Sequence, residues 1–311
     1  MNNLKKVGLT ALAGSLAAST AYAGVLEVTG SASVKYQSRS GSSGTSSVQG
    51  NPWSDGNGIT FSGSGDLDNG MSVGYSYTMT DAAFSTSNVT LDMGDNGKLA
   101  FGHDSAHGGI DTIKDKMPTA GEEVWDDIGT GDDAGVTDLG ADPSLYYSIN
   151  MSGITASASY SRTGVGTDNS VAIVASELAD GVEVGIGTGT NVTATSGVED
   201  DLTTAYAKYT AGAFTIGVQL SEIDKTAANS DISREAAAIS FAVNENLSIS
   251  YGLSTVEYDA SAKTDAESTG VSASYTMGGI TLGAVSNKTD SFAGTAGSDK
   301  EFTEVSLSFA F

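Results

Sequence analysis

The chain has 311 residues, among them 40 Gly, 3 Pro and no Cys, and its 14 Lys and Arg against 38 Asp and Glu give a formal net charge of −24. This acidity leaves no basic surface to replace the counterions of a nucleic acid, and the lack of cysteine excludes disulfides, thiolate zinc sites and cysteine nucleophiles. Only 17% of the residues are charged, so Ser, Thr, Asn and Gly supply much of the polarity and favour strands and turns over helices.

Residues 1–23 have the pattern of a cleaved secretory signal peptide. Lys5 and Lys6 precede a short apolar stretch, and Ala21-Tyr22-Ala23 supplies the small-x-small cleavage motif. The stretch is too short for a membrane-spanning helix, which needs about 20 apolar residues. We therefore expect export. Because two of the 14 basic residues leave with the signal peptide, the mature chain of residues 24–311 keeps 12 basic and 38 acidic residues and a net charge of −26.

From residue 25 onward the chain alternates between apolar and small polar residues with a period of two. In the first run the apolar face carries Leu26, Val28, Gly30, Ala32, Val34 and Tyr36. Runs over residues 71–79, 214–220 and 237–243 repeat the pattern. Successive side chains of a strand point to opposite faces of its sheet, so each run predicts a strand with one apolar and one polar face.

Tight-turn signals separate these strands into pairs. Seven are present: Asp68-Asn69-Gly70, Asp95-Asn96-Gly97, Ser152-Gly153, Asp180-Gly181, Ala211-Gly212, Asn244-Glu245-Asn246 and Gly278-Gly279. Asn-Gly and Gly-Gly supply the positive φ angles of short hairpins. The other connections are longer and rich in Ser, Gly, Thr and Asp: residues 38–57, 162–168, 190–200, 222–233, 257–267 and 287–300. Seven hairpins, an opening strand near 25–37 and a closing strand near 301–311 make sixteen strands.

Short turns at one end, long loops at the other and an even number of strands are typical of a transmembrane β-barrel. Strands of about ten residues suit a tilted crossing of the bilayer, and closure leaves no sheet edge in lipid. We therefore predict an all-β fold, an antiparallel transmembrane barrel of sixteen strands whose small polar side chains enclose water. A secreted β-sandwich or β-solenoid is the alternative, although a sandwich would bury large apolar side chains on its inner face.

One connection differs from the others. Residues 102–143 form a stretch of 42 residues without strand pattern between the second and third hairpin turns. A structureless segment of this length is usually functional or disordered. We expect it to fold into the barrel and narrow the opening, and a loop outside the barrel is the alternative.

The closing strand at residues 304–311, the strand end at 98–102 and hairpins such as 273–283 carry a family resemblance. They resemble the Gram-negative general diffusion porins, most of all the sixteen-stranded type typified by photosynthetic alphaproteobacteria. The resemblance implies a homotrimer in the outer membrane whose third long loop folds into a water-filled pore for small hydrophilic solutes and ions. Phe311, with apolar residues at alternate positions before it, resembles the signal read by the outer-membrane assembly machinery.

The long connection is rich in carboxylates. They are Asp104, Asp111, Asp115, Glu122, Glu123, Asp126, Asp127, Asp132, Asp133, Asp138 and Asp142. Its only cations are Lys114 and Lys116. In a narrow passage such charges favour cations and repel anions. We therefore predict a weak to moderate cation preference, with the first seven of these carboxylates at the constriction.

Basic residues complete the predicted pore lining. They are Lys35, Arg39, Lys98, Arg162, Lys208 and Arg234. The resemblance implies a cluster of bases on the strand that faces the loop. The expected facing strand instead offers Thr60, Ser62, Ser64 and Asp66 to the inside. Since the bases are scattered around the barrel, we do not expect a strong transverse field.

Metal and cofactor binding have little support in the sequence. Asp126-Asp127 and Asp132-Asp133 could supply oxygen ligands to calcium, but no twelve-residue calcium loop is present, so solvated loop charge is the favoured interpretation. His103 and His107 would share one face of a helix, but neighbouring glycines disfavour a helix there. Gly185-x-Gly187-x-Gly189 resembles part of a dinucleotide loop, yet no helix pattern follows, so we interpret it as strand. We predict no cofactor and keep calcium at the acidic loop as an alternative.

Functions other than a channel have less support. Both histidines lie in one Gly-rich segment with no nucleophile-elbow motif nearby, so we predict no enzymatic activity. A substrate-selective porin and a non-conducting adhesin or structural barrel are the alternatives. The inward positions are nearly free of aromatic residues, which disfavours a sugar track, although Trp125 in the predicted constriction could contact a ligand. Outward Tyr and Phe side chains suit the headgroup zone of a membrane.

Overall fold

The computed structural model describes residues 26–41, 51–103, 108–126, 128, 144–162, 164–192 and 198–311. They form a closed antiparallel barrel in which each strand pairs with its neighbours in the chain and the first pairs with the last. The strands are β1 Glu27–Gly41, β2 Trp53–Asp66, β3 Ser72–Thr80, β4 Ala83–Asp92, β5 Lys98–His103, β6 Ser144–Met151, β7 Ile154–Arg162, β8 Thr167–Ala179, β9 Val182–Val192, β10 Glu199–Ala211, β11 Phe214–Asp224, β12 Ile232–Ala242, β13 Leu247–Tyr258, β14 Ala266–Met277, β15 Ile280–Asp290 and β16 Lys300–Ala310. The predicted fold class and the predicted sixteen strands are confirmed.

The barrel closes where β1 meets β16. Tyr36 pairs with Val305 and Ala32 with Phe309 along this seam. Just beyond β16, the backbone N–H of Phe311 donates to the carbonyl of Gly30 at 2.9 Å. The last residue of the sequence therefore extends the closing ladder.

The period-two alternation places apolar side chains outside the barrel. Val28, Ile216 and Leu220 are 55%, 50% and 55% exposed on the outer surface, whereas Gln219 and Ser221, which face inward from β11, are 1% and 5% exposed. An apolar belt of this kind is stable in lipid, and a closed barrel leaves no strand edge unpaired there. The outer surface is therefore a membrane-facing surface.

All seven predicted hairpin turns are confirmed, and they share one end of the barrel, which we call the turn side. Six of them contain a glycine with positive φ, for example Gly153 at 81° and Gly181 at 72°. The seventh depends on Asn244, whose Oδ1 accepts hydrogen bonds from the backbone N–H groups of Asn246 and Leu247 at 2.9 and 3.0 Å. Local turn chemistry is thus sufficient to place these hairpins.

The opposite end does not consist of long loops throughout, and the sequence-based expectation is wrong at one connection. β3 and β4 are joined only by Asp81 and Ala82, with φ angles of 50° and 63°, the left-handed pair of a type I′ turn. The Asp81 carboxylate accepts hydrogen bonds from the backbone and side-chain N–H groups of Asn57 at 3.1 and 3.2 Å. The sequence does not predict this turn, because neither of its residues is the Gly or Asn that is usual in such turns.

The long loop connects His103, the last residue of β5, to Ser144, the first of β6. β5 therefore includes Gly102 and His103, which the sequence analysis had placed in the loop. The described part of the loop, residues 108–126 and 128, lies inside the barrel and packs on the inner faces of β7 to β16. The prediction that this loop folds into the lumen is confirmed.

In the described residues, helical structure is limited to short 3₁₀ segments. They are Gly94–Asn96, Gly109–Thr112 and Phe292–Gly294. The first lies in a hairpin turn and the second begins the docked part of the long loop. None of the helices in this part of the chain is long and apolar enough to cross a membrane.

Candidate pore constriction

The long loop docks where the barrel wall carries glycines. A Cβ at Gly187 would lie 2.8 Å from Cδ1 of Ile113, and a Cβ at Gly252 would lie 2.8 Å from Cγ1 of Val124. A Cβ at either position would force the loop side chain to move, so these glycines allow Ile113 and Val124 to approach the wall closely. The glycine repeat at residues 185–189 is confirmed as part of a strand, β9, and it provides one of the docking positions.

Apolar side chains of the loop fill three places along the inner wall. The first cluster contains Ile110, Ile113, Ala172, Leu202, Tyr206 and Ile223, the second Met117, Val124, Trp125 and Ala236, and the third Ile128, Val285, Phe292 and Phe302. Full burial of one Ile or Val side chain contributes about 1.5–3 kcal/mol, so these contacts hold the loop firmly. The sequence shows no period here because the loop residues follow the spacing of the wall, not that of a helix or strand.

Gln219 of β11 fixes the loop backbone, and the sequence analysis did not identify it. The side chain is 1% exposed. Its Nε2 donates to the carbonyl oxygens of Ile113 and Lys114 at 2.9 and 2.7 Å, and its Oε1 accepts from the backbone N–H of Lys116 at 3.0 Å. A buried amide with its hydrogen bonds satisfied gives the attached groups a single arrangement. Gln219 therefore determines where residues 113–116 lie.

Arg234 of β12 lies beneath the loop and is 1% exposed. Its guanidinium carbon is 3.9 Å from the centre of the Trp125 ring, and its Nη2 donates to the Lys114 carbonyl at 3.3 Å. The same nitrogen is 3.9 Å from the carboxylate of Asp115. A desolvated cation–π contact is worth about 2 kcal/mol. These contacts make Arg234 an anchor of the loop, and they cover the Trp125 ring, which is 6% exposed.

Lys35 of β1 links a later part of the loop to the wall. Its Nζ lies 3.8 Å from Oε1 of Glu122 and 3.2 Å from Oε2 of Glu304 on β16. Glu304 also accepts a hydrogen bond from Nε2 of Gln37 at 2.7 Å. Carboxylates on both sides therefore compensate the Lys35 charge, and the loop is tied to the barrel seam.

Two carboxyl groups of the loop lie close together. The backbone N–H of Glu123 donates to Oδ2 of Asp126, and the N–H of Asp126 donates to the Glu123 carbonyl, both at 3.1 Å. Burial, followed by the hydrogen bond and the charge of Asp126, raises the pKa of Glu123 to about 8. At neutral pH Glu123 is therefore mostly protonated and adds little negative charge to the lumen.

Two further inward lysines of the wall, Lys208 and Lys98, each have a nearby carboxylate. Lys208 Nζ lies 2.9 Å from Oε1 of Glu183, a residue that the sequence analysis did not select. Lys98 Nζ lies 3.9 Å from Oδ2 of Asp92, at the turn side of β5. Neither lysine therefore adds an uncompensated positive charge to the lumen.

The remaining predicted residues occupy different places. Arg39 covers the ring of Phe302 at 4.8 Å. Arg162 ends β7 on the same side as the outward Tyr160, which is 48% exposed, so the structure does not bring it together with the other bases. Asp111, in the 3₁₀ segment of the loop itself, is 7% exposed. Outside the described residues lie Asp104, Asp127, Asp132, Asp133, Asp138 and Asp142.

The wall across the lumen from the docked loop carries hydroxyl and amide groups. On β2 and β3 the hydroxyls of Thr60 and Thr78 lie 2.9 Å apart, and on β4 Nδ2 of Asn88 donates to Oγ of Ser76 at 2.7 Å. These side chains satisfy one another and carry no charge. Around these side chains the opening thus lies between a loop with carboxylates and a wall of hydroxyl and amide groups.

Buried aromatic side chains face inward from the described strands, although these positions were expected to be nearly free of aromatic residues. Tyr146, Tyr206 and Phe302 are 2%, 5% and 0% exposed. Tyr206 and Phe302 belong to the apolar clusters under the loop, and Tyr146 lies next to Gly108. Because the loop covers these rings, they serve as docking positions and not as a track for solutes.

The predicted metal ligands are only partly described. The ring of His103 packs edge-on against Phe84, with 5.1 Å between the ring centres, and His107 lies outside the described residues. Among the residues that the structure describes, no group of three or more His, Cys, Asp or Glu could hold a metal ion. With Asp127, Asp132 and Asp133 also outside this part of the chain, calcium binding stays a prediction.

An apolar outer belt, a polar lumen and an internal loop that narrows it define an outer-membrane diffusion channel. Lipid covers the outside of such a barrel, and water fills the passage. The chain belongs to the Gram-negative porins, because the family model of that name matches residues 8–311.

Solved structures of porins share this fold. A porin refined at 1.8 Å resolution superposes with a TM-score of 0.66 at 16% identity, over 92% of this chain and 100% of its own. A mutant of the Rh. blastica porin gives 0.64 at 13% identity, over 92% and 100%. OmpT, an outer membrane protein of Vibrio cholerae, gives 0.65 at 13% identity, over 93% and 98%. A comparison with curated proteins gives no match.

Proposed function

We propose that this chain forms a water-filled channel through which small hydrophilic solutes and ions diffuse with a weak to moderate preference for cations. The supporting observation is the asymmetry of the lumen. The docked loop presents Glu122, Glu123 and Asp126, whereas the wall across from it presents hydroxyls such as Thr60 and Thr78. Fixed negative charge beside a narrow aqueous path raises the local concentration of cations.

Ion pairing explains why the preference is only weak to moderate. Lys35 lies beside two carboxylates and Lys208 beside one, and Arg234 lies near Asp115. The opposite charges within these pairs largely cancel one another at distances beyond a few ångströms. The raised pKa of Glu123 removes most of one further negative charge at neutral pH. The net potential in the passage is therefore smaller than the number of acidic residues in the loop suggests.

We also propose how the protein reaches the outer membrane and assembles there. Residues 1–23 direct export and are cleaved, the assembly machinery of the outer membrane recognises Phe311, and three chains assemble into a homotrimer. Transport involves no chemical step and no cofactor. Membership of the porin family supports each of these expectations.

Recordings in planar bilayers test the proposal. Purified protein should open in steps of three, and a salt gradient should give a reversal potential with the sign of cation preference. The double variant Glu122→Gln, Asp126→Asn should move that potential towards zero. Glu245→Gln, in the β12–β13 turn, is the matched control and should leave it unchanged. A clear anion preference of the wild type would contradict the charge assignment, and a silent bilayer would favour the non-conducting barrel.

A further inference from the structure

A polar cavity lies in the lumen on the turn side of the loop. It has a volume of about 550 Å³. Its wall reaches Gly181 and Val182 at the β8–β9 turn, and Thr210 and Thr215 flank the β10–β11 turn. The loop closes the other side with Asp115 and Lys116, among others. A solute that has passed the loop, or has entered from the turn side, meets this chamber.

Contacts within the protein already engage the two carboxylates of the chamber. Oε1 of Glu183 accepts a hydrogen bond from the Tyr206 hydroxyl at 2.8 Å and lies 2.9 Å from Nζ of Lys208. Oδ1 of Asp115 is 3.9 Å from Arg234, and Oδ2 is 3.9 Å from Nζ of Lys114. The lining thus carries two ammonium groups, Lys116 and Lys208, and two carboxylates, and both carboxylates already have cationic partners.

Lys116 differs from the other charged groups of this lining. Within the described ranges, its ammonium group has no carboxylate at ion-pair distance, in contrast to Lys35, Lys98 and Lys208. Burial, followed by the charge of Lys208, lowers the pKa of Lys116 from its ordinary value. An ammonium group in such surroundings is stabilised by an incoming anion. The chamber therefore offers one ammonium group, that of Lys116, to the carboxylate of a solute.

The position of Lys116 is fixed before any solute arrives. Its backbone N–H donates a hydrogen bond to Oε1 of Gln219. Nε2 of the same side chain donates to the carbonyl groups of residues 113 and 114. On the next residues, Pro118 packs where Gly217 leaves space, since a Cβ there would lie 2.7 Å from the proline ring. A preorganised group loses less entropy when it binds a ligand.

We propose that this chamber is a subsite for small polyhydroxylated monocarboxylates. The ammonium groups of Lys116 and Lys208 bind the carboxylate, and the hydroxyls of Ser176, Thr210, Thr215 and Ser240, which also line the chamber, bind hydroxyls of the solute. Hydroxyl groups both donate and accept hydrogen bonds, so they match a polyol chain. This inference rests on the proposed function, because it assigns a solute class to the same pore.

Current block by gluconate tests the subsite. Gluconate, sorbitol and acetate are added in turn on each side of a planar bilayer that contains wild-type channels, and the concentration that halves the ion current is measured. Gluconate should block, sorbitol should not because it lacks the carboxylate, and acetate should block only at much higher concentration because it lacks the hydroxyls. Lys116→Gln should weaken the gluconate block about fivefold, as expected for one ammonium–carboxylate contact.

Matched variants exclude a general effect of charge. Lys98→Gln removes an inward lysine from the turn side of the opposite wall and should leave the gluconate block unchanged. Lys116→Gln with Lys208→Gln should weaken the block further than either substitution alone. Unchanged block in Lys116→Gln, or equal block by gluconate and acetate, would overturn the subsite. If the wild type does not conduct at all, the proposed function fails instead, and calorimetric titration of the detergent-solubilised protein with gluconate still decides whether the subsite exists.

Discussion

The cation preference of this channel should increase with pH because of Glu123. With a pKa of about 8, its carboxyl is almost fully protonated at about pH 6 and about nine-tenths ionised at about pH 9. This upward shift of the pKa is opposite in sign to the shift of a carboxylate in a salt bridge, whose pKa is lowered. The docked loop favours the neutral form of the Glu123 carboxyl. The contribution of this group to the stability of the docked loop is therefore fully present below the ordinary glutamate pKa of 4.5, and it is lost as the pH rises from there through about 8.

The size of the effect follows from electrostatics. One added charge about 7 Å from the path of an ion interacts with that ion by about 0.6 kcal/mol in water, and screening at about 0.1 M salt halves this value. Cations gain this energy and anions lose it, so the difference between them is about 0.6 kcal/mol. The ratio of cation to anion permeability should therefore rise about threefold between about pH 6 and about pH 9.

Reversal potentials measured across a salt gradient at several pH values give this ratio directly. Glu123→Gln removes the titrating group and should flatten most of the curve. Any slope that remains would come from other groups of the lumen, among them Lys116, whose pKa burial lowers from its ordinary value. Glu245→Gln should keep the full slope of the wild type. A pH dependence in Glu123→Gln equal to that of the wild type would refute the assignment.

Other substitutions test how the loop is anchored to the wall and whether Phe311 acts as an assembly signal. Arg234→Met removes the cation that packs on Trp125 and should loosen the loop, which single-channel recordings would show as a larger and noisier current; an unchanged current would argue against the anchor. Gly252→Val should displace the docked loop at an overpacking cost of about 1–3 kcal/mol and change the conductance, whereas Gly63→Val, whose Cβ would meet nothing within 4 Å, should not. Phe311→Ala should reduce folded protein in outer-membrane fractions several-fold while refolding in detergent stays near that of the wild type, and equal amounts in cells would speak against an assembly signal.

The barrel was predictable because its determinants are local. Alternation assigns each side chain to lipid or lumen, and turn residues such as Gly153, Gly181 and Asn244 close the hairpins through their own backbone preferences. Counting these turns is enough to obtain sixteen strands. The turn at Asp81 and Ala82 was not predicted, because its backbone conformation is one that Asp and Ala seldom adopt. The ends of strands such as β1 and β5 were also not predicted to the residue.

The constriction was only partly predictable because its determinants lie far apart in the chain. The acidic loop is visible in the sequence, but the sequence does not show that Gln219 holds it or that Arg234 packs on Trp125. The electrostatic potential in the passage also depends on residues of other strands, such as Glu183 and Glu304, which pair with the basic residues. The number of charges in the loop alone therefore does not give this potential. Distance in space, not residue type, decides which charges remain open to solutes.

The two-residue connection between β3 and β4 shapes the mouth of the channel. β2 begins at Trp53 but first pairs with β3 at Gly58, so β2 rises about 12 Å above its neighbour when about 3.3 Å per residue and a tilt of about 40° are allowed for. The strand wall of the barrel is therefore bevelled, with a notch at β3 and β4. The lower part of the strand wall thus lies on the same side of the barrel as the hydroxyl groups of Thr60 and Thr78, so low wall and uncharged hydroxyl lining coincide there.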